Sequence, residues 1–165
     1  MLKLRPVPLT ISPLSPAYLV ATWFHSGRIR PASGSWGTLA AVPVCLLMDV
    51  VIGWPGLVAL IIASWFAGIW AITRYADHAS KTDPSEVVID EVFGLAITYL
   101  FLPLSWSGWI LGFILFRIFD AIKRGPVGWC DKHIKGPVGV MTDDAVAGIL
   151  AGLTALFVLS AFWAV

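Results

Sequence analysis

Apolar residues fill most of the chain in long stretches, and polar residues are confined to the short segments between them. Five apolar stretches are separated by turn residues or by charged segments, and we predict that each of them is a helix. They are Thr38–Ile52, Gly56–Thr73, Val87–Leu104, Trp109–Ile122 and Ala145–Val165. A helix needs about 20 residues to cross a bilayer, so the first and the fourth are short and would have to tilt, extend or be half-buried. The pattern predicts an all-α, polytopic membrane helix bundle with four to five spanning helices.

The N-terminal part of the chain has a different pattern. Four of its first 16 residues are prolines, which prevent a continuous helix. A short apolar and aromatic patch, Ala17–Phe24, follows and is too short to span a bilayer. We predict that residues 1–33 form an arm in the cytoplasm or at the membrane interface, and that residues 1–165 form one integral-membrane domain.

Charged residues fall almost entirely on one side of this topology. With five spans, the N-terminal arm and the segments Arg74–Glu91 and Arg117–Asp144 face the same side and hold 20 of the 21 charged residues, Asp49 being the exception. All eleven Lys and Arg residues lie on that side, so the positive-inside rule predicts that it is cytoplasmic. The two loops on the opposite side carry no charge.

Composition and charge exclude several classes of protein. Hydrophobic residues make up 58% of the chain and charged residues 13%, whereas about a quarter of the residues in a soluble domain are charged. A net charge of +1 gives no basic field for duplex binding, so we predict no nucleic-acid partner. Two cysteines are too few for a disulfide scaffold or a four-cysteine zinc site, and the three histidines lack the HExxH spacing of zinc peptidases.

Acidic residues lie where the apolar stretches begin or end. Asp90 and Glu91 open the third stretch, Asp120 closes the fourth, and Asp143 and Asp144 precede the fifth. Ionisable groups at membrane depth are costly and usually functional. Each pair has an ordinary alternative, because acids in the first turn of a helix cap its free N–H groups, which is worth about 1 kcal/mol. Two such pairs on one membrane face favour a functional site.

These acids and Asp83 share the charged face with eleven basic residues, of which Arg117, Lys123 and Lys135 lie near them in the sequence. Several carboxylates without a cysteine cluster favour a hard cation, Mg²⁺ above all, and Arg and Lys are the usual clamps for phosphate oxygens. Arg117 and Asp120 are three positions apart, however, and could simply pair on one face of a helix. The glycine-rich segments Gly34–Gly37 and Lys135–Gly139 could let backbone N–H groups approach an anion. Together these features predict metal-assisted phosphoryl hydrolysis or transfer at a membrane surface.

The charged residues can be assigned to roles on this basis. We predict that the Mg²⁺ ligands are Asp90, Glu91, Asp143 and Asp144. Adjacent residues on a helix point about 100° apart, so we expect one member of each pair to bind the ion and its neighbour to orient water or bind a second ion. Arg117, Lys123 and Lys135 are then the phosphate-binding groups, with Asp83 or Asp120 available for proton transfer.

Three blocks of the sequence resemble the bacterial phosphatidylglycerophosphatase A family. They are Thr22–Pro43, Asp83–Gly94 and Phe116–Gly148, and the last two contain, in family order, the patterns D-x6-DE, FR-x2-D-x2-K and KG-x2-G-x3-DD-x3-G. The resemblance implies a multi-pass enzyme of the bacterial inner membrane that removes the terminal phosphate of phosphatidylglycerophosphate in a Mg²⁺-dependent reaction. It also brings Asp131 into the site, and we assign Asp83, Asp120 and Asp131 to catalysis.

The first block departs from the family pattern. His25 stands where the family has a glycine, and Arg30 and Ser33 stand where it has prolines. The glycines and the tryptophan of Gly34–Gly37 are retained. These differences concern the loop expected to meet the lipid headgroup, and every acid of the family pattern is present.

A second class of function stays open on the residues alone. The same charged groups could line a pathway in a small membrane transporter, or brace a structural membrane subunit. A pathway needs polar groups on both faces of the membrane, and here only Asp49 lies away from the charged face. The one-sided distribution favours the enzyme, with membrane lipids as its partners and with its oligomeric state undetermined.

Overall fold

The computed structural model of the chain describes residues 2–8, 10–77 and 85–163. Within these ranges the chain forms seven α-helices and one antiparallel pair of short strands, β1 (Lys3–Leu4) and β2 (Ile29–Arg30), in which Lys3 lies opposite Arg30. The helices are α1 (Pro16–Ala21), α2 (Ser33–Ile52), α3 (Trp54–Ala76), α4 (Ile89–Leu100), α5 (Trp106–Ile122), α6 (Gly125–His133) and α7 (Gly136–Trp163). The predicted all-α class is confirmed.

Each of the five predicted apolar helices has a counterpart, with different ends. Helix α2 begins at Ser33 rather than Thr38, and α7 begins at Gly136 rather than Ala145. Helix α4 is shorter than its apolar stretch, since it ends at Leu100, ahead of the proline at position 103. Helix α6 was not predicted, because its glycine and proline residues are typical of a loop. Proline is nevertheless well tolerated in the first turn of a helix, which is where α6 has it.

Three helices of the described chain are long and apolar enough to cross a membrane: α2, α3 and residues Gly136–Ala161 of α7. Helix α4 has 12 residues and α5 has 17, which correspond to about 18 Å and about 26 Å of helix. The hydrocarbon core of a bilayer is about 30 Å thick. Of the four to five spans predicted, three are therefore supported by length and composition, while α4 and α5 fall short of a full crossing.

Helix α4 lies at the centre of the bundle. It contacts α2, α3, α5 and α7, and nine of its twelve residues are buried. The buried set includes one acid, Glu91, in its first turn. Because four helices enclose α4, packing limits the sideways movement of this helix.

Two glycines allow α4 and α7 to cross closely. A Cβ atom on Gly148 would overlap the carbonyl oxygen of Gly94, and one on Gly94 would lie 2.8 Å from the carbonyl oxygen of Asp144. The Thr98 hydroxyl donates to the carbonyl oxygens of Gly94 (3.0 Å) and Gly148 (3.2 Å) across this crossing. Small residues at such a crossing let backbones approach in a membrane. The crossing brings Asp144 beside the first turn of α4.

Candidate active site

A polar cavity of about 410 Å³ lies where α4, α5, α6 and α7 meet the first turn of α2. Nine of the ten predicted site residues belong to the described part of the chain, and all nine line this cavity: Asp90, Glu91, Arg117, Asp120, Lys123, Asp131, Lys135, Asp143 and Asp144. The tenth, Asp83, lies outside the described residues. Four separate helices thus contribute to one site the side chains that the sequence pattern singled out.

Three carboxylates converge at the inner end of this site. Asp90, Glu91 and Asp144 each offer an oxygen atom, and these atoms all lie within 4.8 Å of one another. The side chains are poorly accessible, since Glu91 is 8% exposed and Asp144 is 2% exposed. Asp90 and Glu91 both belong to this group, and Asp144 belongs to it from the second acidic pair. Asp143 points elsewhere.

One carboxylate oxygen on each of these three residues is buried without a hydrogen-bond partner among the described residues. They are Asp90 Oδ1, Glu91 Oε2 and Asp144 Oδ2. Buried polar atoms are almost always hydrogen-bonded, so each exception calls for an explanation such as an ion. Three such oxygens in one group match the all-oxygen ligand set that Mg²⁺ prefers. The residues present therefore fit a hard divalent cation.

Arg117 lies beside this carboxylate group. Its Nη1 atom donates to Asp120 Oδ2 at 2.5 Å and to the Thr38 hydroxyl at 3.3 Å, and it lies 3.7 Å from Glu91 Oε1. The intrahelical pairing with Asp120, considered from the spacing alone, is therefore present. Arg117 Nε is also buried and has no partner among the described residues. The guanidinium thus connects α5 with α2 and α4 at the wall of the cavity.

Lys123 organises the other side of the cavity. Its ammonium group donates to Asp131 at 2.9 Å and to Asp143 at 2.6 Å. Asp143 is 3% exposed, so its charge depends on this partner. Lys135 donates to the backbone carbonyl of Asp131 at 2.9 Å. These contacts join the end of α5, helix α6 and helix α7.

The pKa values of Lys123 and Asp131 shift in opposite directions. The hydrogen bond from Lys123, followed by its charge, holds the pKa of Asp131 below its usual range despite partial burial. Burial alone would lower the pKa of Lys123, but its hydrogen bonds to Asp131 and Asp143 outweigh that effect and raise it. Both groups are therefore ionised at neutral pH.

The capping alternative separates the two acidic pairs. Caps act on the free N–H groups of the first turn of a helix. Helix α7 begins at Gly136, so Asp143 and Asp144 lie too far along the helix to cap it. Capping of the last helix is therefore the wrong explanation for them. Asp90 and Glu91 do lie in the first turn of α4, where the helix dipole favours anions.

Two residues of α2 beside the charged groups were missed or only partly anticipated. Gly34 was noted for its backbone, but its lack of a side chain is what the site requires: a Cβ there would overlap Glu91 Oε1 and lie 2.9 Å from Arg117 Nη2. The Thr38 contact with Arg117 had no signal in the sequence, because threonine in an apolar helix ordinarily bonds to its own backbone. Thr38 does so as well, donating to the Gly34 carbonyl at 2.8 Å.

The formal charge of the cavity lining is negative. Six carboxylates and three basic groups face the cavity, which leaves a formal excess of three negative charges. A phosphate ester would meet net repulsion from this lining. A divalent cation held by the acids would reduce the repulsion, while the three basic groups face the same space.

Comparison with known proteins agrees with this chemistry. The sequence profile of the family described as phosphatidylglycerophosphatase A matches residues 19–159. Phosphatidylglycerophosphatase A of Escherichia coli (strain K12) is 33% identical over 138 residues, covering 83% of this chain and 80% of that protein. Its namesake in Haemophilus influenzae is 32% identical over 142 residues, covering 86% of this chain and 87% of that protein.

A third relative carries a different name. A Bacteroides thetaiotaomicron protein with the provisional name phosphatidylinositol-3-phosphatase is 37% identical over 139 residues, covering 79% of this chain and 86% of that protein. Both names describe removal of a phosphate from a phospholipid headgroup. No solved structure shows a significant match to the chain.

Proposed function

Because this chain belongs to the phosphatidylglycerophosphatase A family and is thus a phosphatase, we propose that it removes the terminal phosphate of phosphatidylglycerophosphate to give phosphatidylglycerol. One structural observation supports the proposed chemistry. Three carboxylates with unpartnered buried oxygens share a cavity with Arg117, Lys123 and Lys135. Family membership argues against the transporter and structural alternatives.

In this proposal Asp90, Glu91 and Asp144 hold Mg²⁺. When bound, the ion would polarise the phosphoryl group and offset its negative charge. Asp143, predicted as a fourth ligand, is instead committed to Lys123 at 2.6 Å, so we assign it to fixing that ammonium group. Its neighbour Asp144 carries the ligand role for α7.

The remaining charged residues act on the phosphate ester itself. Arg117, Lys123 and Lys135 bind phosphate oxygens and neutralise the charge that grows in the transition state. In the net reaction a water oxygen bonds to phosphorus as the bond from phosphorus to the glycerol oxygen breaks. Asp120, Asp131 and Asp83 are the candidates for accepting the proton of the water and returning one to the leaving oxygen.

The test is phosphate release by the purified protein in mixed micelles of detergent and lipid. We expect release from phosphatidylglycerophosphate with Mg²⁺ and loss of release after chelation. Glu91→Gln and Asp144→Asn should each abolish turnover. Asp49→Asn is the matched control, because Asp49 is an acid of α2 that does not line the cavity. Wild-type rates in both site variants would refute the ligand assignment.

The same assay distinguishes the two substrate names found among the relatives. Phosphatidylinositol-3-phosphate and a soluble glycerol phosphate are the comparison substrates. We expect the highest kcat/KM on phosphatidylglycerophosphate and little release from the soluble ester. A higher kcat/KM on the phosphoinositide would retain the lipid phosphatase and overturn the proposed substrate.

We further propose that the enzyme lies in the bacterial inner membrane with its cavity facing the cytoplasm. The one-sided placement of the basic residues supports this orientation. A cysteine-free variant with single cysteines at Lys132 or Ser107 tests it by labelling from outside intact cells. Ser107→Cys should react and Lys132→Cys should not, and the reverse pattern would refute the orientation.

A further inference from the structure

The segment that leads into α4 is held from several directions. The Ser85 carbonyl accepts a hydrogen bond from the Ser33 hydroxyl at 2.5 Å, and the Val88 N–H donates to the Ala21 carbonyl at 2.8 Å. The Val88 side chain also fills the space left by a glycine, since a Cβ on Gly37 would lie 2.5 Å from Val88 Cβ. Residues 85–88 are therefore closely packed against α1 and α2.

Glu86 provides a further anchor, and it is a charged one. Its carboxylate is buried, with 7% of the residue exposed. It accepts a hydrogen bond from the Tyr75 hydroxyl at 2.7 Å and forms an ion pair with Nη1 of Arg5. Tyr75 is itself buried in α3 and stacks on Tyr18 with the ring centroids 5.7 Å apart. Glu86 thus joins the N-terminal arm to α3 through two of its oxygens.

The Arg5 backbone is fixed in turn. Its N–H donates to the Arg28 carbonyl at 2.9 Å, and the Arg28 guanidinium donates back to the Arg5 carbonyl at 2.8 and 2.9 Å. This pairing continues the β1–β2 strand pair. These hydrogen bonds hold the Arg5 backbone in place, and its side chain pairs with Glu86 from there. Arg5 also lies ahead of residue 19, where the match to the family begins.

Glu86 is separated from the carboxylates of α4 by only a few residues of the chain. Glu86 precedes Asp90 by four residues and Glu91 by five, and the intervening Val87, Val88 and Ile89 are all buried. Because protein interiors are close-packed and hardly compressible, a displacement at one end of a short buried segment is transmitted to its other end. The first turn of α4 is therefore placed by what holds Glu86.

We propose that Arg5, Glu86 and Tyr75 form a positioning cluster that sets the start of α4, so that the carboxylates of Asp90 and Glu91 meet that of Asp144. None of the three residues lines the cavity, and the cluster acts through the backbone of residues 86–91. The inference rests on the proposed function for its effect on turnover, but not for its effect on the geometry of the acids.

Arg5→Ala is the direct test, with Lys3→Ala as the matched control. Lys3 is an exposed basic residue of β1, two positions before Arg5, so its removal changes the charge of the arm without touching Glu86. Mn²⁺ binding followed by electron paramagnetic resonance measures cation affinity without any turnover. Replacing the groups that orient metal ligands typically costs 10- to 100-fold in metal affinity or activity. We expect Arg5→Ala to weaken Mn²⁺ binding by about tenfold and Lys3→Ala to leave it unchanged.

Two further readouts separate positioning from simple stability. Hydrogen exchange of the peptide spanning residues 85–92 should accelerate in Arg5→Ala and remain at the wild-type rate in Lys3→Ala. In turnover, kcat should fall by about tenfold with an unchanged KM for the lipid. Arg5→Lys, which retains the charge, should recover part of the Mn²⁺ affinity. Glu86→Gln, which retains an acceptor for Tyr75 but removes the charge, should resemble Arg5→Ala.

Wild-type Mn²⁺ affinity in both Arg5→Ala and Glu86→Gln would overturn the positioning cluster. So would a loss of affinity in Lys3→Ala as large as that in Arg5→Ala. If the wild-type protein released no phosphate from phosphatidylglycerophosphate, the proposed function would fail. Mn²⁺ binding and hydrogen exchange would still decide the role of Arg5, Glu86 and Tyr75.

Discussion

A single methyl group added at Gly34 should disable the site without unfolding the protein. In Gly34→Ala the new Cβ would overlap Glu91 Oε1 and lie 2.9 and 3.1 Å from the two terminal nitrogens of Arg117. Non-bonded heavy atoms rest about 3.5–4.0 Å apart. Arg117 must therefore retreat by roughly half an ångström and Glu91 by on the order of 1 Å. The variant displaces a proposed metal ligand and a proposed phosphate ligand together.

The expected effect on rate is much larger than the effect on stability. A misplacement of about 1 Å at a reacting centre can cost about 100-fold in rate, so we expect kcat to fall by about that factor. Replacing a helical glycine by alanine normally stabilises a protein by about 0.4–1 kcal/mol, which opposes the cost of moving the two side chains. The thermal midpoint in detergent should therefore stay close to that of the wild type.

Phosphate release, Mn²⁺ binding and thermal unfolding of Gly34→Ala test this reasoning together. Leu39→Ala is the control on the same helix, because Leu39 is half exposed on the outer surface of α2 and does not line the cavity. The control should keep wild-type turnover. A Gly34→Ala variant with wild-type kcat and Mn²⁺ affinity would refute the close contact between α2 and the acids.

Three more predictions follow from the charged contacts. Arg117→Lys keeps the charge but loses the planar fork, so phosphate release should fall at least tenfold; near-wild-type kcat would exclude a bidentate role for Arg117. Lys123→Gln leaves the buried Asp143 without its cation, and calorimetry should show a loss of about 1–3 kcal/mol of unfolding free energy, whereas Asp131→Asn, on the exposed side, should cost less than about 1 kcal/mol. Burial would raise the pKa of Glu86, but bonds from Tyr75 and Arg5 lower it. Its stabilisation is therefore present above the unfolded pKa and lost as the pH falls through the folded value. The thermal midpoints of wild type and Glu86→Gln should differ at pH 7 and converge as the pH falls below the folded pKa of Glu86; a difference that stays constant with pH would contradict the pKa shift.

The location of the site could be predicted from the sequence because charged side chains are costly in lipid and in an apolar core. Asp90, Glu91 and Asp144 interrupt stretches that must otherwise face lipid or the core, so they had to meet at one end of the bundle. The different contacts of Asp143, which accepts from Lys123, and of Asp144, which lies with Asp90 and Glu91, could not be predicted. They depend on the rotation of α7 against α4, which the crossing at Gly94 and Gly148 determines.

Contacts between residues far apart in the chain could not be predicted from the pattern of apolar and charged residues. Arg5 and Glu86 are 81 positions apart. Arg5 lies outside every motif, and Glu86 occupies one of the variable positions of the D-x6-DE pattern, so no pattern connects the two. Helix α6 was missed for a different reason. It is short and mixes glycine, charged and apolar residues, so no periodicity marks it, and its packing against α7 is what supports it.

The acidic group is more than a by-product of helix capping, and the reason is energetic. Capping is worth about 1 kcal/mol and acts only in the first turn. Asp144, beyond the first turn of α7 and 2% exposed, gains nothing from a cap and faces two other carboxylates. Like charges brought together away from water oppose folding, yet the glycine crossing of α4 and α7 forces that approach. A cation bound by the three acids would offset this repulsion and stabilise the fold. Added Mg²⁺ should therefore raise the thermal midpoint of the wild type, by an amount equivalent to about 2.7 kcal/mol at 100 times Kd. The same addition should have much less effect on Asp144→Asn, and an equal rise in both proteins would locate the cation elsewhere.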